Sequence, residues 1–172
     1  MTTTSTPVIA WNQQFGSSAP DHPTAVASAS DGTTYVVGHT SGIFNGVAKI
    51  GTLDGFITKF DQSGQSVWTT LMGVSGKETS AKGVAVSADG SLFVVGVTGG
   101  ALYGQPFSGL GNAFISKFNT DGKEVWTRLL VGTGQYPSAA GSAVAISSDG
   151  SVYLVGFTNS NLDGQTFSGG TG

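Results

Sequence analysis

Three tryptophans set the organisation of this chain. Trp11, Trp68 and Trp126 stand 57 and 58 residues apart. A second marker keeps the same phase: Asp31-Gly32, Asp89-Gly90 and Asp149-Gly150 are separated by 58 and 60 residues. Gly38-His39-Thr40, Gly96-Val97-Thr98 and Gly156-Phe157-Thr158 follow, then Gly46, Gly104 and Gly164, then Gly51, Gly109 and Gly169. A fixed long period means that one supersecondary unit is repeated, each copy burying its apolar face against the next.

Each unit contains four strand-like runs. In the second unit these are Gly83–Ser87, Leu92–Val97, Ala113–Phe118 and Glu124–Leu130, termed A to D. Asp89-Gly90 separates A from B, and Asp121-Gly122 separates C from D. Asp-Gly between runs rich in β-branched and aromatic residues signals a tight hairpin, because glycine accepts positive φ without a steric penalty. Run B is apolar on both faces, through Leu92, Phe93, Val94 and Val95. A sheet wetted on one side would alternate apolar and polar residues instead, so B is expected to be covered on both sides. The composition agrees. Gly accounts for 28 of 172 residues and charged residues for only 10%, against about 25% in ordinary soluble domains. The good helix formers are scarce.

The expected fold is therefore all-β, a β-propeller of four-stranded antiparallel blades with about three repeats in this chain. A two-layer sandwich is the alternative, but it does not account for the fixed period. The expected boundaries are a disordered tail over 1–7, an outer D-type strand over 8–15, blade 1 over 24–72, blade 2 over 83–131 and a partial blade 3 over 142–172.

The run Asp54-Gly55-Phe56-Ile57-Thr58-Lys59-Phe60, with Val67-Trp68, Gly83-Val84-Ala85-Val86, Asp89-Gly90 and Val94-Val95-Gly96-Val97-Thr98, resembles the bacterial SBBP-type β-propeller repeat. Asn112 through Thr158 resembles it equally. The resemblance implies a multi-bladed propeller, often part of a large bacterial surface or secreted protein, without catalytic residues. Asn112 stands where the first copy has Asp54, which argues against a metal-binding role for that position.

Other classes find little support. Seven basic residues are spread along a chain of net charge −3, which excludes a basic stripe for nucleic acid. Cysteine is absent, so disulfides, thiolate metal sites and cysteine nucleophiles are excluded. Met1–Pro7 lacks the basic residues and the following apolar run of a signal peptide, and no stretch approaches the roughly 20 apolar residues of a membrane helix. No Gly-x-Ser-x-Gly precedes a helix, and the Asp-Gly turns lack full calcium-loop spacing. No cofactor and no metal are expected.

Antiparallel A-B-C-D order puts the tight A–B and C–D turns at one end of each blade and the long B–C and D–A loops at the other. Binding residues favour long loops on rigid scaffolds. The B–C loops align Leu102–Gly109 with Leu162–Gly169, so Tyr103, Gln105, Phe107, Asp163, Gln165 and Phe167 are the candidate ligand contacts. Phe107 and Phe167 also suit a loop-anchoring role. Trp11, Trp68 and Trp126 read as structural, and His39 as a packing variant of Val97 and Phe157. The expected function is a non-enzymatic scaffold or binding module, extracellular or at the cell surface. The alternatives are a glycan-binding propeller using the B–C loop face, or a lyase or hydrolase on this scaffold. The phase count gives two whole blades, an A–B hairpin and one further D strand. An isolated chain of this kind is expected to form a homo-oligomer, a dimer first, unless further blades complete the ring.

Overall fold

The computed structural model describes residues 9–169. The first sheet runs in the order β1 (Asp21–Ser28), β2 (Thr34–Thr40), β3 (Asp54–Phe60) and β4 (Ser66–Met72). The second repeats it with β5 (Thr79–Val86), β6 (Leu92–Thr98), β7 (Asn112–Phe118) and β8 (Glu124–Leu130). A short β9 (Gly132–Thr133) follows, then the hairpin β10 (Ala139–Ile146) and β11 (Val152–Thr158). A final β12 (Asn161–Leu162) pairs with β9, tying the third unit to the second. All strand pairs are antiparallel. Among the described residues there is no α-helix, only a 3-10 turn at Leu102–Gly104. The fold is all-β, as the periodicity requires.

The first strand of each unit packs on the sheet before it. β5 lies against β1, β2 and β3, and β10 lies against β5, β6 and β7. The main core is this seam: Val37, Ile57 and Met72 of the first blade join Val84, Val94, Leu102, Phe114 and Phe118 of the second in one buried cluster. Burying each such side chain contributes roughly 1.5–3 kcal/mol. Both faces of β6 are buried, Val94 and Val95 alike at 0% exposure, which is why its sequence shows no alternation.

The recurring glycine of the second strand is fixed by a close approach. Gly96 pairs with Phe114 across the ladder. A Cβ at Gly96 would lie 2.0 Å from the Ser80 carbonyl oxygen and 2.9 Å from the Phe114 ring. Gly38 stands in the same relation to Phe56.

Two expectations need correction. The first strands begin at Asp21, Thr79 and Ala139 rather than at 24, 83 and 142. Each carries a bulge, between Pro23 and Ala25, Ala81 and Gly83, and Gly141 and Ala143. The extra residue breaks the two-residue alternation, so the leading half of each strand reads as loop. The outer strand expected over 8–15 is not a strand across its described residues, 9–15. Among the described residues no strand lies beside it to supply a ladder. It packs instead on the first blade, with the Trp11 ring 5.6 Å and the Phe15 ring 4.9 Å from that of Phe60. The expected tail over 1–7, Val8 and the last three residues of the third unit lie outside the described residues.

Candidate functional site

The strand order places two different surfaces at the ends of the blades. At one end the turns are closed on themselves. Asp89 Oδ1 accepts hydrogen bonds from the Ser91 amide and the Ser87 hydroxyl, and Asp149 does the same with Ser151 and Ser147. These bonds, the serine hydroxyl first, hold both carboxyls down at about 2. Asp61 and Asn119 close the corresponding C–D turns through the amides of Ser63 and Gln65, and of Asp121 and Lys123.

At the other end lie the long loops. One buried position clamps the B–C loop of each of the first two blades. Asp54 accepts from the amides of Ile50 and Gly51, both at 2.7 Å. Asn112 accepts from the Ser108 amide at 3.1 Å and donates to the carbonyls of Ser108 and Gly111. Both arrangements hold the loop through backbone groups, which explains why Asp and Asn serve equally. Among the described residues, no group of three or more His, Cys, Asp or Glu is placed to hold a metal ion.

The six candidate contacts fall into two separate groups. Tyr103, Gln105 and Phe107 lie on the loop of the second blade. Tyr103 sits at φ 50° and its ring stands edge-on to Phe118, 6.5 Å away. Tyr103 keeps 41% of its surface exposed, yet the protein packed around its phenol, and then the nearby Glu124, push that phenol up to about 12. Phe107 is half-buried against the main core and anchors its loop. Asp163, Gln165 and Phe167 lie on the loop of the third blade. Asp163 and Gln165 line a cavity of about 280 Å³ with Val131, Thr133, Asn161, Gly164 and Thr166. Gln165 and Phe167 line a neighbouring one of about 220 Å³. Tyr103, Gln105 and Phe107 line neither.

Three participants at this place had no sequence signal. Arg128 Nη2 donates to both carboxylate oxygens of Asp163, at 2.6 and 2.8 Å. Both side chains are exposed, 60% and 57%, so the pair contributes at most about 1 kcal/mol but orients the acid. Thr133 and Asn161 arrive through the β9–β12 pairing, a contact between adjacent units that no single repeat encodes.

His39 lies at the seam between blades. Its ring stacks on that of His22 at 4.9 Å, and its Nδ1 is 2.9 Å from Ser80 Oγ of the second blade. Burial, then Lys82 and His22, lower its pKa, against a smaller opposing effect of Glu78. The tryptophans differ. Trp68 is half-buried with its indole N–H on the Thr120 carbonyl at 3.1 Å, whereas Trp126 is 41% exposed.

No helix among the described residues is long and apolar enough to cross a membrane. No curated protein matches the chain. Residues 67–104 match the family model SBBP, Beta-propeller repeat. The matched stretch runs from the end of β4 that holds Trp68 through β5 and β6 into the next B–C loop, and the repeat markers it contains recur from Trp11 to Gly46 and from Trp126 to Gly164. Residues 67–104 are thus similar to an SBBP beta-propeller repeat, and they lie in an all-β fold of four-stranded antiparallel sheets.

Proposed function

We propose that this chain is a non-enzymatic propeller module, a scaffold or binding part of a bacterial surface or secreted protein. The observation that carries this reading is the division of labour between the two ends. Turns at one end repeat nearly unchanged, while the loops at the other differ in the residues they present: Asn45, Tyr103 and Asp163 share one position, all at positive φ. A fixed frame with variable loops is how binding surfaces are built. The use of the acids supports a reading without catalysis. Asp54 clamps a loop, Asp89 and Asp149 close turns, Asp163 pairs with Arg128, and Asp21 binds Ser17 and Thr40.

A second reading, glycan binding, is favoured by the cavity of the third blade. Its lining of Thr133, Asn161, Asp163, Gln165 and Thr166 offers hydroxyl, amide and carboxylate partners for sugar hydroxyls. A glycan array on the purified chain separates the readings. Saturable binding lost in Gln165→Ala and Asp163→Ala supports a glycan site. A blank array, with capture of a protein ligand through the same face, supports the scaffold reading alone.

A further inference from the structure

The chain has two histidines, and the fold sets them face to face. His22 on β1 is the direct cross-strand partner of His39 on β2. Their ring centroids lie 4.9 Å apart, with the planes 29° from parallel. The repeat does not ask for this pair: the same rung holds Ser80 and Val97 in the second blade, and Ala140 and Phe157 in the third. The pair stands at the seam between two complete four-stranded blades. Its backbone is held. The adjacent rung joins Asp21 to Thr40, whose hydroxyl donates to the Asp21 carboxylate at 2.5 Å, and β5 packs against both strands. His39 Nδ1 lies 2.9 Å from Ser80 Oγ of β5, so Nε2 is the nitrogen left for a ligand. His22 is exposed and His39 half-buried, which leaves the pair reachable from solvent.

We propose that His22 and His39 form a two-imidazole site for a divalent transition-metal ion of the zinc or nickel type. An ion bound to imidazole nitrogen at about 2.1 Å lies about 3.2 Å from the ring centroid, so two rings sharing it stand about 4.6 Å apart at a right angle and about 5.3 Å apart at the tetrahedral angle. The observed 4.9 Å falls between these limits. Imidazole suits zinc, copper and nickel, whereas magnesium takes oxygen ligands. A metal-bound histidine nearly always donates its other ring N–H to a fixed acceptor, and Ser80 Oγ supplies that acceptor for His39 Nδ1. The ligand must also be neutral. Burial, then Lys82 and His22, hold the pKa of His39 below its ordinary 6.5, against a smaller opposing effect of Glu78, so its ring is uncharged at neutral pH. Glu78 beside His39 and Asp21 beside His22 add negative charge around the pair, against the single positive charge of Lys82. Two protein donors leave the remaining positions to water, so the ion exchanges with solvent and does not build the fold. This inference does not depend on what the long loops bind.

The test is calorimetric titration of the full, tag-free chain with zinc chloride at neutral pH, repeated with the nickel and magnesium salts. Saturable uptake of one zinc or nickel ion per chain is expected, and none of magnesium. The C2 proton resonances of both histidines should move together as zinc is added. His22→Gln changes an exposed side chain, so it should keep its melting temperature in the absence of metal and bind zinc at least about ten-fold more weakly. His39→Gln should weaken binding to the same degree. Zinc should raise the melting temperature of the unaltered chain and leave that of either variant unchanged. Affinity should fall with pH below 6.5, as protons compete for the two rings. No saturable binding of zinc or nickel, or binding undiminished when both histidines are replaced by glutamine, overturns the proposal. So does movement of one histidine resonance alone, which marks a single adventitious ligand.

Discussion

Trp68 and Gly122 meet across the boundary between the two complete blades: a Cβ on Gly122 would lie 2.8 Å from the Trp68 ring. Trp11 covers Gly64 in the same manner, at 2.7 Å. Residues 9–15 therefore occupy on the first blade the place that β4 occupies on the second. Phe15 touches Phe44, Phe56 and Phe60 just as its counterpart Met72 shares a cluster with Leu102, Phe114 and Phe118.

The three tryptophans should accordingly be unequal in stability. Trp68→Ala removes a half-buried ring and its bond to Thr120, and is expected to cost about 2–4 kcal/mol. Trp126 has no turn above it among the described residues, so Trp126→Ala should cost about 1 kcal/mol, well below the 3–5 typical of buried aromatics. Urea melts of the two variants decide this, and equal losses would contradict the geometry.

Gly96→Ala should be far more damaging than its size suggests. The added methyl meets the Ser80 carbonyl, which belongs to the backbone and cannot swing aside. A loss of about 3 kcal/mol or more is expected, at the upper end of overpacking effects. Gly104→Ala meets no atom within 4 Å and bears only the strain of φ +73°, about 1 kcal/mol. Thermal melts rank the pair.

Stability should change with pH in two windows. The pKa of His39 is lower in the fold than its ordinary 6.5, so the unfolded chain binds the proton more tightly. The contribution of His39 is complete above pH 6.5 and declines as pH falls below it. Asp89 and Asp149 are lowered from 3.8 to about 2. Their contribution is present above pH 3.8 and is lost as pH falls towards 2. Denaturation midpoints should show the first window flattened by His39→Gln and the second reduced by the Asp89→Asn, Asp149→Asn pair, since Asp21, Asp31 and Asp61, also lowered, share it.

Association is expected from the uncovered face of the third blade. Tyr153, Val155 and Phe157 are each about 60% exposed, whereas their counterparts Phe93 and Val95 are buried under β10. The purified chain should self-associate, a dimer first, at micromolar concentration by light scattering. Val155→Lys should shift it to monomer. A well-folded wild-type monomer would show that the open face is tolerated.

Much of this was legible in the sequence because the repeat states each fact three times. Strand identity, turn positions and the two-faced burial of β6 all follow from phase. The leading halves of β1, β5 and β10 were not legible, since the bulge beside Thr24, Lys82 and Ser142 disrupts alternation. Nor was the association of Asp163 with Arg128, Thr133 and Asn161, which depends on how one unit docks on the next. Exposure of Trp126 was hidden for the same reason: a recurring residue type does not reveal whether its neighbour is present.

The bulges also govern which changes of length the fold can absorb. Removing Lys82 would leave an unbroken ladder in which Thr79, Ser80 and Ala81 keep their partners Thr98, Val97 and Gly96, but β5 would lose the bend and extra twist that the bulge gives it. Straightening would re-aim the leading half of the strand and draw Ser80 away from His39 of the first blade, while the hydroxyl pair of Thr79 and Thr98 within the sheet would stay. Substitution at the bulged position leaves the ladder untouched, as the presence of Thr24, Lys82 and Ser142 at the same point demonstrates. That point thus accepts side chains as different as threonine, lysine and serine, whereas a single deletion there changes the course of the strand and its contact with the neighbouring blade.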